Sequence, residues 1–137
     1  MKRIAAYLLL GFSLTNCAES VPDPAPSLVG KWEQLTVYKV YHDRTITQLD
    51  HDEREEDEPG SVWVAFAANG TIQLVHNGVA TPTHTTYAYQ AGNITFRGLP
   101  LGETVHPVLE LSAHRLVYRT HTEGNNGTED ITFTYQR

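Results

Sequence analysis

The chain has 137 residues, 16 acidic side chains against 10 basic ones, and a formal net charge of −6 with histidine neutral. That length suits one compact domain rather than two, and an acidic surface repels both nucleic acid and anionic lipid headgroups, which argues against nucleic-acid binding and against membrane attachment through charge. A single cysteine, Cys17, excludes an internal disulfide and a thiolate metal site.

At the start of the chain, Lys2 and Arg3 lead into the apolar run Ile4 to Leu14 and the small polar pair Thr15 and Asn16. This is the layout of an export signal, which ends at a small-residue cleavage site and is too short to span a bilayer. Leu14-Thr15-Asn16-Cys17 resembles the lipobox of bacterial lipoproteins, with Asn16 standing where Gly, Ala or Ser is usual. The resemblance implies that residues 1–16 are removed and that Cys17 becomes the N-terminus, carries acyl chains such as palmitate and is the lipid anchor. It also implies a cell-envelope location. Ala18 is not the aspartate associated with inner-membrane retention, which favours the outer membrane.

Removing residues 1–16 leaves 121 residues with 8 basic and 16 acidic side chains, a net charge of −8. Attachment must then come from the acyl chains, each buried methylene contributing about 0.8 kcal/mol. Residues 17–27 hold Pro22, Pro24 and Pro26 at alternate positions, which disfavours helix and reads as a tether spanning roughly 3.1 Å per residue when extended. The domain proper is expected over residues 28–137.

Lys31 to His42 is rich in aromatic and β-branched residues, with Leu35, Val37 and Tyr41 at period two, and reads as the first strand. From Thr47 to Gly60 the apolar pattern stops, and Asp50 to Glu58 carries so much charge that it reads as a solvated loop. Val62, Val64 and Phe66 alternate with Ser61, Trp63 and Ala65, and Asn69-Gly70 provides turn residues before the return strand Thr71 to His76. A second pair is expected over Thr83 to Gln90 and Asn93 to Arg97, turning at Gly92-Asn93. The last strands are Val108 to Ser112, Arg115 to His121, and, after Asn125-Asn126-Gly127, a strand carrying Ile131, Phe133 and Tyr135. No segment shows a helical apolar period. About eight short strands joined by turns predict an all-β, antiparallel up-and-down meander that closes into a barrel, with room for side chains or one small ligand.

Leu28-Val29-Gly30-Lys31-Trp32 resembles the Gly-x-Trp opening of lipocalins, in particular the short lipocalin-like domains of bacterial lipoproteins. In order along the chain, Val64 to Thr71 resembles their Phe-x-x-(Asn/Asp)-Gly-Thr hairpin, Tyr87 to Ile94 their Tyr-rich Gly-Asn-x-Ile segment, and Leu111 to Leu116 their Leu-Ser turn. The likeness covers residues 28–137 and implies a lipocalin-like barrel that binds a small apolar or amphipathic ligand. It also implies that Trp32, entered through Gly30, closes one end of the barrel beneath a distant arginine; Arg119 is the expected partner and Arg115 the reserve. The domain is shorter than the ligand-carrying lipocalins and ends on a strand instead of a helix packed on the barrel. A domain like the META family also opens with Gly-x-Trp, but the Gly-Cys-Asn segment expected there is missing.

Six aromatics, Trp63, Tyr38, Tyr41, Tyr87, Tyr89 and Tyr118, are the candidate ligand-lining residues, since flat apolar faces with polar tips suit such a cup; ordinary strand packing is the competing reading. The acidic run lacks the glycine turn of a calcium loop and holds Arg54 in its middle, and no two of the seven histidines have metal-binding spacing, so no metal and no cofactor are expected. There is no Gly-x-Ser-x-Gly elbow, no phosphate-cradling loop and no linear triad, so the chain reads as a binding protein and not an enzyme. The alternative is a solid barrel whose acidic surface engages a basic protein partner, as envelope-located inhibitors of cationic enzymes do.

Overall fold

The computed structural model describes residues 26–43, 50–100 and 102–137; the signal, Cys17 and the tether up to Ala25 lie outside the described residues. Ten strands follow one another: β1 (Gly30–Asp43), β2 (Asp50–Glu56), β3 (Val62–Phe66), β4 (Ile72–His76), β5 (Val79–Thr81), β6 (Thr86–Gln90), β7 (Asn93–Leu99), β8 (Gly102–Leu111), β9 (Arg115–Gly124) and β10 (Gly127–Gln136). No helix occurs among the described residues. All pairings are antiparallel, in the order β5-β4-β3-β1-β10-β9-β8-β7-β6, with β2 added to β1. The path is an up-and-down meander whose first and last strands, β1 and β10, lie side by side, so the sheet curls into a half-barrel with its seam between β5 and β6. At one end the seam is tied by the bridge Thr71↔Thr86 and by Tyr87 N–H donating to the Gly70 carbonyl at 2.7 Å. The expected all-β meander is therefore the fold.

Period-two alternation decides which side chains enter the half-barrel. Trp32 and Gln34 point inward from β1. A bulge between Gln34 and Thr36 then makes Leu35 the extra residue, so that Val37, Lys39 and Tyr41 continue the inner face. Leu35, expected on the face of Val37, is displaced by that bulge, and its carbonyl accepts the Asp57 N–H at 3.1 Å. Opposite stand Phe133 and Tyr135 of β10 and Leu116 and Tyr118 of β9. Trp32, Phe66, Ile94 and Leu116 are the largest fully buried side chains and, with Leu28, form the closed end of the half-barrel. The Trp32 indole N–H donates to the Leu28 carbonyl at 2.8 Å, satisfying its one polar atom.

The cation over Trp32 is Arg137, whose guanidinium carbon lies 4.3 Å from the ring centroid. Arg119 is exposed instead, because in β9 it alternates with the inward Tyr118. Arg137 also donates to the Ala113 carbonyl at 2.6 Å and the Val29 carbonyl at 3.0 Å, joining three segments at the closed end. Gly30 explains the close approach: at φ 139° it has no Cβ, and a Cβ would sit 3.0 Å from an Arg137 nitrogen.

The charged run 50–56, expected as a loop, is strand β2. It pairs with the far half of β1 from Thr36↔Glu56 to His42↔Asp50, while the near half of β1 pairs with β3. Charge does not prevent this, because both faces of the resulting four-stranded ribbon, β2-β1-β10-β9, meet solvent, where alternating carboxylates stay hydrated and find cross-strand partners such as Lys39 with Glu55 at 2.6 Å. Gly127 lets the ribbon tip pair: a Cβ there would collide with the His42 carbonyl oxygen. A further hairpin, β4 to β5, turns on Asn77-Gly78, both at positive φ, as a type I′ turn requires. The β6–β7 turn uses Ala91-Gly92, one residue earlier than expected.

Candidate functional site

Above the packed end, the concave face forms an open-mouthed cavity of about 330 Å³. Its apolar wall comes from Val64 and Phe66 of β3, Ile72 and Leu74 of β4, Phe96 and Leu99 of β7, and Tyr118, Phe133 and Tyr135 of β9 and β10; Gln34, Thr83 and Thr85 add polar groups. Phe66 and Phe96 stack across the lumen at 6.5 Å, and the ring series continues from Phe96 to Tyr118 at 6.0 Å and from Tyr118 to Phe133 at 5.2 Å. These rings form the cavity floor and one wall. Gly98 brings the β5–β6 connection onto the rim: at φ 86°, its missing Cβ leaves room for the His84 carbonyl, which would otherwise lie 2.7 Å away.

Polar chemistry in the cavity is sparse and uncharged. The Tyr118 and Tyr135 hydroxyls lie 3.4 Å apart. Burial holds both above the usual tyrosine range, Tyr135 well above it, so both are neutral phenols at ordinary pH. Gln34 donates its amide to Asp57 at 2.8 Å, and the Thr83 hydroxyl donates to the Ile72 carbonyl at 3.1 Å. Behind the wall, buried His106 touches Phe96 and Tyr118, and its Nε2 meets the Thr104 hydroxyl at 2.8 Å. Its Nδ1 has no hydrogen-bond partner of good geometry, and burial holds the imidazole below the usual histidine range, partly offset by the Arg119 backbone.

Of the six aromatics singled out in the sequence, only Tyr118 lines this cavity. Tyr87 packs edge-on against Phe66 at 5.0 Å and gives its hydroxyl to the Ala67 carbonyl at 2.9 Å, which makes it part of the packed end. With the exposed Tyr89 it borders a shallower hollow beside Pro26–Val29 and Gly70. Trp63 lies on the outer face beneath Lys31, whose Nζ is 4.3 Å from the ring centroid. Tyr38 is on the ribbon's outer face, donating to Asp52 at 2.8 Å, and Tyr41 bonds Glu129 on the other face and borders a polar hollow at the ribbon tip. The six are thus dispersed over four places: the cavity, the packed end, the outer face and the ribbon tip.

The lining aromatics that composition overlooked are Phe66, Phe96, Phe133 and Tyr135. The signal that would have found them is parity: each shares an inward register position with a core neighbour on the adjacent strand. Among the described residues, no group of three or more His, Asp or Glu side chains is placed to hold a metal ion. No family model, curated protein or solved structure matches the chain.

Proposed function

We propose that this chain is a lipid-anchored, lipocalin-like protein of the bacterial cell envelope that binds one small apolar or amphipathic molecule inside its half-barrel. The observation that carries the reading is the cavity of about 330 Å³, walled by aromatic and aliphatic side chains with a few uncharged polar groups, which is the usual chemistry of a small-molecule site. A solid interior would have opposed it. The lipobox resemblance around Cys17 supplies the anchor, and binding, not catalysis, is the task assigned. Native mass spectrometry of the protein taken from its own envelope tests the reading: a reproducible small-molecule adduct is expected, and a clean mass from every preparation would count against it.

A second reading rests on β2, whose side chains from Asp52 to Glu56 are all exposed and which pairs with β1 alone among the described strands. An acidic edge strand suits a basic protein partner held with strong salt dependence. Pull-down from envelope extract at low and high salt separates the two readings, and the absence of any salt-sensitive partner would remove this one.

A further inference from the structure

We infer that the cavity selects a neutral molecule carrying a hydrogen-bond-accepting oxygen on an otherwise apolar body, as a ketone or ester does, over both a plain hydrocarbon and a carboxylate, and that Tyr118 and Tyr135 make the selection. The inference rests on the binding reading above and specifies what that site takes.

Tyr118 and Tyr135 are 8% and 3% exposed, both line the cavity, and their rings stack at 5.8 Å with planes 8° apart. Each phenol carries one O–H. Between two hydroxyls 3.4 Å apart, only one of the two hydrogens can lie in the shared contact, because the oxygen that accepts still holds its own. Both protons stay on at neutral pH, since burial disfavours either phenolate. One buried donor is therefore left over beside the cavity, and a buried donor without an acceptor is unfavourable.

The other polar groups do not compete strongly for an acceptor. The Thr83 hydroxyl is engaged by the Ile72 carbonyl and one Gln34 amide N–H by Asp57, which leaves the second Gln34 N–H and the Thr85 hydroxyl as the other donors on the lining, while the Gln34 carbonyl makes no hydrogen bond to either tyrosine. No Lys, Arg or His is among the described lining residues, and the Asp57 carboxylate behind the lining Gln34 adds a smaller negative contribution at Tyr135, after burial and Tyr118 itself. A ligand carboxylate would lose its hydration next to a like charge with no cation to offset it. A hydrocarbon would leave the tyrosine donor unpaired, and a carbonyl would answer it. The cavity, about 330 Å³, is roughly twice the 150 Å³ or so that accepts a benzene ring, so a ring with a short chain fits inside.

The test uses the whole processed chain from residue 17, made with Cys17→Ser so that no acyl chain competes, and three probes with the same phenylbutyl carbon skeleton: n-butylbenzene, butyrophenone and 4-phenylbutyrate. Isothermal titration at pH 7 is expected to rank the ketone about tenfold tighter than the hydrocarbon, the size of one net hydrogen bond, with the carboxylate weakest. In a Tyr118→Phe, Tyr135→Phe double variant the ketone should fall to the hydrocarbon's affinity or below it, its carbonyl now unpaired, while the hydrocarbon's own affinity holds or rises, which also shows that the cavity has survived. Equal binding of ketone and hydrocarbon, a ketone preference that persists in the double variant, or tightest binding of the carboxylate would overturn the selection while leaving the cavity as a site. Binding of none of the three would remove the site itself, and the selection with it.

Discussion

The half-barrel and the ribbon are made from the same long strands, yet they obey opposite rules. In β1 the stretch from Gly30 to Gln34 faces the packed interior and presents the fully buried Trp32, whereas beyond the buried Val37, from Tyr38 to Asp43, the same strand bears Lys39, Tyr41 and His42 on two solvated faces. β10 changes in the other direction, from Glu129 and Asp130 at the tip to Phe133 and Tyr135 in the core. One continuous hydrogen-bond ladder thus carries two regimes. Where the inner face meets packed side chains, burial of apolar area supplies the stability; where both faces meet water, the ladder holds its shape through backbone pairing and exposed cross-strand contacts that contribute little each.

The sharpest way to break the contrast is at Trp32. Trp32→Ala is expected to cost about 3–5 kcal/mol, since it opens a large void at the closed end, and thermal unfolding should show a single large drop in midpoint. Next in size, Gly127→Val should unpair the ribbon tip, where the His42 carbonyl leaves no room for a Cβ. Hydrogen exchange should then accelerate over residues 37–43 and 127–131 and stay slow in β3, β7 and the lower half of β9. Exchange that rises uniformly would mean that the two regions do not open separately.

Arg137→Ala should cost about 1–2 kcal/mol, from the lost cation–ring contact and the bonds to Val29 and Ala113, whereas Arg119→Ala should be close to neutral in the same denaturant titration. His106 sharpens the comparison through pH. Its folded-state value lies below the unfolded one, so the unfolded chain binds more protons, and the contribution of His106 to stability is complete above the unfolded value near 6.5 and declines as pH falls through it. The pH 7 to pH 5 loss in stability should be smaller in His106→Phe than in the parent. Smallest of all, a double-mutant cycle on Lys39 and Glu55 should yield a coupling close to the error of the measurement, diminishing further with salt, as an exposed ribbon pair would.

The sequence was most legible where local signals and burial agreed. The alternation in Val62 to Phe66 and in Ile131 to Tyr135, and the glycines at the turns, placed most strands and the meander. The run from Asp50 to Glu58 was misread because strand patterns are recognised by an apolar face, and β2 has none. Its pairing depends on β1 extending past the barrel, which no local feature announces. Arg137 was missed as the partner of Trp32 for a related reason: the choice among arginines depends on strand parity and on which turn lies next to Val29. The cavity wall is not found from residue type alone, because position on the inner or outer face, set partly by the bulge at Leu35, decides what each tyrosine and tryptophan ring meets.

The entry of the chain into the fold also sets how it bears a load. Residues 26–29 lead directly into β1, a strand flanked along its near half by β3 on one side and β10 on the other. Tension applied from the N-terminal side runs along the axis of β1, across ladder bonds that lie perpendicular to it, so the bonds to both neighbours are sheared together instead of parting one after another. A domain tugged by that end resists as a bolted joint does and not as a zip.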